Sequence, residues 1–199
     1  MQQQKSGTRH LLDGRVLSEF VKGKRLIMAI DKCDVSDYDI VVCVNRWVDY
    51  GKPSILYTSK MQRLPGLDHV VCPFPIDAYD VKQRGFANKT IQKLAQSYLL
   101  ELGSQKIYAK WAKRYNTRLY TGVAAVLDLK RFGYESLYIS GMTLFKGCKD
   151  KDRQRRAWGK CHNPEANRQI MKELCEDSRV FTDTYLTKLL KAKKVKWNH

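Results

Sequence analysis

Apolar residues fall along the chain in short blocks, and two periodicities recur. Five compact blocks read as buried strands. They are Arg25-Leu26-Ile27-Met28-Ala29-Ile30, Tyr38-Asp39-Ile40-Val41-Val42-Cys43-Val44-Asn45, Ser54-Ile55-Leu56-Tyr57-Thr58-Ser59, His69-Val70-Val71-Cys72 and Ser136-Leu137-Tyr138-Ile139-Ser140-Gly141. Glycine, proline and polar residues punctuate them, as at Lys22-Gly23-Lys24 and Gly51-Lys52-Pro53. Other segments carry helical spacing. Val16 to Lys22 reads as a short helix or turn. Thr90 to Leu102 places Ile91, Leu94, Ala95, Tyr98 and Leu99 on one face, with Thr90 as N-cap and Gly103 as stop. Ile107 to Tyr115 reads as a second helix and Val123 to Phe132 as a buried one ended by Gly133. Pro164 to Cys175 carries Ile170, Met171 and Leu174 as a further helix. Residues 1–14 are polar, and 60–88 are irregular, with Pro65, Gly66, Pro73, Pro75 and Gly85.

Strands alternating with helices predict an α/β fold with a mostly parallel sheet. No internal repeat or linker divides the 199 residues, so one domain spans 1–199. Residues 146–161 form a charged loop suited to a small basic lid, and 188–199 a basic tail. No apolar run approaches the roughly 18–20 residues that span a bilayer. The Met1-Gln2-Gln3-Gln4-Lys5 start lacks the apolar stretch of a signal peptide, which predicts a cytoplasmic protein, in a cell or an infected host. In that compartment Cys33, Cys43, Cys72, Cys148, Cys161 and Cys175 are expected as free thiols, with no C-x-x-C pair among them. Cys148, Cys161 and His162 match no standard zinc spacing, and no metal site is expected.

Three segments stand where α/β sheets build sites, at the carboxyl ends of strands. Asn45 closes the second strand, Thr121-Gly122 opens the Val123 helix and Gly141 closes the Leu137 strand. A hydroxyl and a glycine at a helix start let backbone N–H groups approach a phosphate, and an Asn at a strand end serves a ribose or base with both donor and acceptor. An ordinary helix cap is the plainer reading of Thr-Gly.

These segments carry a resemblance. Asp37-Tyr38-Asp39-Ile40-Val41-Val42-Cys43-Val44-Asn45-Arg46, with Tyr50-Gly51-Lys52 and Ile55-Leu56-Tyr57, resembles the first conserved block of the sialyltransferases. Tyr120-Thr121-Gly122-Val123-Ala124-Ala125-Val126-Leu127, then Phe132-Gly133-Tyr134-Glu135 and Ser136 through Phe145, resembles their second block. Gly159-Lys160-Cys161-His162-Asn163-Pro164-Glu165 is similar to their late His motif. The enzymes that build bacterial lipooligosaccharide are nearest in pattern. The resemblance implies a single Rossmann-like nucleotide-binding domain with a small basic lid, a sialyltransferase-like variant of the glycosyltransferase A fold, and an inverting, metal-independent transfer from a nucleotide sugar, with no other cofactor. It implies that Asn45, Thr121, Gly122 and Gly141 hold the donor and that His162 is the general base. The base role suits an imidazole, whose unperturbed pKa is about 6.5. Glu165 is expected either to orient that imidazole or to favour the helix dipole. The chain also departs from the pattern. Ile27-Met28-Ala29-Ile30-Asp31-Lys32 has no glycine-rich turn, Met142-Thr143 follows Gly141 where an aspartate is common, and Phe145 replaces a phosphate-binding Tyr. A different nucleotide sugar and a lost activity both fit these departures.

Charge adds a partner. The net charge is +17, from 37 Lys and Arg against 20 Asp and Glu, which points to a polyanion. Lys106, Lys110, Lys113 and Arg114 share one helical face, with Tyr108, Trp111 and Tyr115 interleaved. Lys149, Lys151, Arg153, Arg155, Arg156 and Lys160 gather just before His162. The expected acceptor is DNA carrying hydroxymethylated bases, flipped to reach His162. A phosphorylated lipooligosaccharide, and a non-catalytic nucleic-acid-binding protein on the same fold, are the alternatives. Two Asp-x-Asp strings occur, Asp37-Tyr38-Asp39 at a strand entry and Asp150-Lys151-Asp152 in the charged loop.

Overall fold

The computed structural model describes residues 15–58, 68–72, 100–102, 105–144 and 162–191. Seven strands form one sheet: β1 (Arg25–Ala29), β2 (Ile40–Val44), β3 (Ser54–Tyr57), β4 (His69–Cys72), β5 (Leu100–Leu102), β6 (Ser136–Ser140) and β7 (Val180–Thr182). Their order is β5-β4-β3-β2-β1-β6-β7, and every pairing is parallel. The helices are α1 (Arg15–Val21), α2 (Gln105–Arg114), α3 (Thr121–Leu129), α4 (Pro164–Leu174) and α5 (Thr184–Lys191). From β1 the chain runs outward through β2, β3, β4 and β5, then returns to lay β6 on the other side of β1. The crevice outside the carboxyl ends of β1 and β6 is therefore the switch point where sheets of this kind bind ligands.

Both faces of the sheet are buried, which is why its strands read as continuous apolar runs. Leu26, Met28, Ile40, Val42, Ile55, Tyr57, Leu137 and Ile139 face the helices, in one core with Leu17, Val123, Val126, Ile170 and Leu186. Helix α3 lies deepest, and every residue from Gly122 to Leu129 is buried. Such a helix needs no polar face. The opposite face carries Ile27, Ala29, Val41, Cys43 and Leu56. Among the described residues, loops rather than helices cover it: Val35, Cys33 and Tyr38 between β1 and β2, and Trp47 and Tyr50 between β2 and β3.

Several sequence expectations need correction. Leu100–Leu102 is strand β5, not the end of a helix, because it pairs with Val70, Val71 and Cys72 of β4. The preceding 90–99 lie outside the described residues. Strand β7 and helix α5 were not expected, although α5 is amphipathic and buries Leu186, Leu189 and Leu190. Residues 188–191 form the last turn of α5, not the start of a tail, with Leu189 and Leu190 buried. Helix α3 already includes Thr121 and Gly122. Its cap position is Tyr120, with no side-chain capping bond, so Thr121 is not a cap. The proposed lid, 146–161, lies outside the described residues.

One buried polar tie joins α3 to the sheet. The Tyr57 hydroxyl donates to Asp128 Oδ2 at 2.9 Å, and Arg131 Nε donates to Asp128 Oδ1 at 2.8 Å. Asp128 is 4% exposed, so its carboxylate depends on protein donors. Tyr57→Phe is expected to lower stability by about 1–3 kcal/mol, read from the urea midpoint at unchanged m-value. Just beyond the same end of α3, Arg179 donates to the Phe132 and Lys130 carbonyls at 3.1 and 3.4 Å. The bond from Arg179 to Asp177 holds that carboxyl down at about 2.

Candidate functional site

The site begins where α3 meets the strand ends. Gly122 lets the helix start come close. A Cβ on it would lie 2.8 Å from Met142 Cε, 3.7 Å from Ile30 Cδ1 and 4.0 Å from Val44 Cγ1. Those neighbours follow β6, follow β1 and end β2. Each residue expected to hold the donor is thus in this contact or one residue from it. Asn45 follows Val44, Gly141 precedes Met142, and Thr121 precedes Gly122. The first turn of α3 holds no acidic residue, and its N–H groups, unused within the helix, aim out of its start.

Backbone geometry fixes this edge. Asn45 has φ of 61°, a left-handed turn that Asn tolerates, and its N–H donates to the Tyr57 carbonyl at 2.8 Å. Its side chain is exposed beside the crevice. Gly141 has φ of 77°, and its N–H donates to Asp183 Oδ2 at 2.7 Å. The other oxygen of Asp183 caps α5 through Leu186 N at 2.7 Å. A Cβ on Gly141 would lie 2.8 Å from the Asp31 backbone N and 3.0 Å from Asp31 Oδ2. Where the resembled family carries glycine after β1, this chain therefore puts a carboxylate against the β6 strand end. The sequence noted only the missing glycine, not that Asp31 would stand against Gly141.

His162 packs beside the start of α3. Its Nδ1 lies 3.1 Å from the Arg118 carbonyl oxygen, which only accepts, so this contact is a hydrogen bond when Nδ1 carries the proton. Its ring stacks on Tyr120, centroids 5.3 Å apart and planes at 22°. Tyr120 immediately precedes Thr121, so the imidazole is tied to the start of α3. The Asn163 side chain caps α4 by accepting from Glu165 N and Ala166 N at 3.0 and 3.1 Å, and Pro164 opens the helix. Asn163 N donates to Thr117 Oγ1 at 2.8 Å. Glu165 is turned to Arg168, whose Nε donates to both carboxylate oxygens at 3.1 Å. The contact orienting the imidazole therefore comes from Arg118, while Glu165 sits in the first turn, where a negative charge suits the helix dipole.

Lys106, Lys110, Lys113 and Arg114 are exposed on α2. The opposite side of α2 carries Tyr108, whose hydroxyl accepts from Leu119 N at 3.2 Å, so the basic helix is bonded to the turn that holds His162. Arg114 is engaged by the protein itself. Its guanidinium lies 5.6 and 5.1 Å from the Trp111 and Tyr115 ring centroids and 3.3 Å from Glu173. The three lysines make the outward row. Arg153, Arg155, Arg156 and Lys160 lie outside the described residues, as do Cys148, Cys161 and the second Asp-x-Asp string. In the first, Asp39 serves the amino edge, away from the crevice, accepting from Arg25 N at 2.8 Å. Cys33, Cys43 and Cys175 are free thiols. Among the described residues no group of three or more His, Cys, Asp or Glu is arranged to hold a metal.

Fold and site together define an α/β protein with an all-parallel, Rossmann-like sheet whose switch point lies at the carboxyl ends of β1 and β6. No described helix is long and apolar enough to cross a membrane. No protein-family model, curated protein or solved structure matches the chain.

Proposed function

We propose that this chain is an inverting glycosyltransferase of the sialyltransferase-like kind, which moves a sugar from a nucleotide sugar to a hydroxyl of a polyanionic acceptor. One observation carries the reading. Two blocks far apart in sequence, each resembling that family, meet at one edge of the sheet through Val44, Gly122 and Met142, and His162 of the third stacks on Tyr120 at the same helix start. The donor phosphate lies against the first-turn N–H groups of α3 and the Thr121 hydroxyl, and Asn45 takes the ribose or phosphate. His162 Nε2 removes the proton of the acceptor hydroxyl. The acceptor oxygen attacks the anomeric carbon from the face opposite the nucleotide, and the bond to the phosphate oxygen breaks with its electron pair leaving on the nucleotide. The lysine row of α2 grips the acceptor's phosphates, and a flipped, hydroxymethylated DNA base is the acceptor that chemistry fits most closely. Such an enzyme works in the cytoplasm and needs no metal.

Asp31 favours a second reading. A carboxylate at the switch point repels a donor phosphate, as expected of a nucleic-acid-binding protein that has lost its donor site. Thermal melting with a panel of nucleotides and nucleotide sugars separates the two. At about 100-fold over Kd, a ligand of the folded state adds about 2.7 kcal/mol, or roughly 5–10 °C for a domain of this size. One nucleotide is expected to give that rise, and Asn45→Gly, which suits the positive φ, is expected to reduce it. A salt-sensitive rise with DNA and none with any nucleotide would remove the enzyme reading.

A further inference from the structure

Asn167 sits in α4 with its side chain fully buried, at 0% exposure. Its oxygen accepts from Tyr120 N at 2.7 Å, and its amide nitrogen donates to the Arg118 and Asn163 carbonyls, both at 3.0 Å. The amide orientation is unambiguous, because a flip would set its NH2 against an N–H and its oxygen against two carbonyls. The Arg118 carbonyl thus receives Asn167 Nδ2 at 3.0 Å, His162 Nδ1 at 3.1 Å and the Thr117 hydroxyl at 3.2 Å. Asn167 holds the carbonyl on which the imidazole hangs. Through Tyr120 N it also holds the residue on whose ring the imidazole stacks.

We infer that Asn167 is a positioning residue that fixes His162 as its Nδ1–H tautomer by clamping the Arg118 carbonyl. A carbonyl held in place selects a nitrogen that bears hydrogen and turns the Nε2 lone pair away from it. If Asn167 were only a staple between α4 and the 117–120 turn, its loss would lower stability without changing which imidazole nitrogen is protonated. The catalytic consequence rests on the proposed function, since it is the lone pair on Nε2 that serves as base there. The tautomer itself does not.

Long-range 1H–15N correlation spectra of the imidazoles, recorded on the whole chain above the pH where histidine titrates, test this. The chain has 4 histidines, and His162→Gln identifies the signal by removing it. Wild type is expected to show a pyrrole-like Nδ1 and a pyridine-like Nε2. Asn167→Asp keeps an acceptor for Tyr120 N but sets a carboxylate oxygen against the Arg118 carbonyl, and is expected to lose that pattern. Should it not fold, Asn167→Leu makes the same comparison with an apolar side chain of similar size. Tyr108→Phe removes the hydroxyl that accepts from Leu119 N, loosening the same turn while the Arg118 carbonyl keeps its donors, and is expected to keep the wild-type pattern. A protonated Nε2 in wild type, an unchanged pattern in the Asn167 variants or a changed one in Tyr108→Phe each overturns the inference. The spectra need no donor, so a wild type with the expected tautomer and no transferase activity would discard the proposed function alone.

Discussion

Gly141→Ala is expected to destabilise the protein by roughly 2–5 kcal/mol, the sum of about 1–2 for a side chain in left-handed backbone and about 1–3 for overpacking. The residue has φ of 77°, and the added Cβ would meet the Asp31 backbone N at 2.8 Å and Asp31 Cβ at 2.9 Å. Backbone cannot swing aside as a side-chain end does, so β1 and β6 would have to part at their carboxyl ends. Gly122→Ala makes the contrast. Its Cβ meets Met142 Cε at the same 2.8 Å, but that is the far end of a flexible side chain. Alanine in a helix also recovers up to about 1 kcal/mol of propensity. Urea unfolding of both variants checks the argument, which fails if they are equally stable. If the crevice holds a nucleotide, Gly141→Ala is also expected to abolish the nucleotide-induced rise in melting temperature.

The strands β1, β2, β3 and β6 were legible because a parallel sheet buried on both faces writes itself as short, unbroken apolar runs. Gly141 was legible as a strand terminator, and the Thr121-Gly122 pair as a helix start. Leu100–Leu102 was not. Its spacing continued a helical pattern, and its strand character comes from pairing with residues 70–72, which no local period reports. Strand β7 has only Val180, Phe181 and Thr182, too few for a period. The loop-covered face was hidden for a related reason. Strand–helix alternation suggests helices on both sides, whereas residues 30–39 and 45–53 bury Val35, Tyr38 and Trp47 without forming one.

The site divides in the same way. Asn45, Thr121, Gly122, Gly141 and His162 stand in motifs and could be found there. Asp31 and Asn167 do not. Asp31 matters because Gly141 comes against it across the β1–β6 pair. Asn167 matters because its amide reaches Arg118 and Tyr120, 49 and 47 residues earlier. Glu165 shows the converse. Three residues after His162 on the same helix start, it looked like the partner of the imidazole, yet Arg168 one turn on claims it. Adjacency in sequence favoured the nearest acid, whereas hydrogen-bond geometry favoured a backbone carbonyl.

His162→Gln is expected to lower kcat by roughly 10²–10⁴, the usual contribution of a positioned general base, while the nucleotide-induced rise in melting temperature stays as in wild type. The two readouts differ because the variant keeps all of the proposed donor groups, Asn45, Thr121, Gly122 and Gly141, and loses only the proposed base. Glutamine is the informative replacement. Its amide can still donate to the Arg118 carbonyl and lie against Tyr120, but it cannot take up a proton at neutral pH. The turn is therefore left intact and only the proton acceptor is lost. Single-turnover rates with the nucleotide sugar identified by melting, compared at one pH, measure the effect. A variant that keeps its rate would mean that another group, or solvent, takes the acceptor proton. A variant that loses the melting shift along with the rate would make His162 a donor-binding group, and the lone pair on Nε2 would then have to face the nucleotide instead of the acceptor hydroxyl.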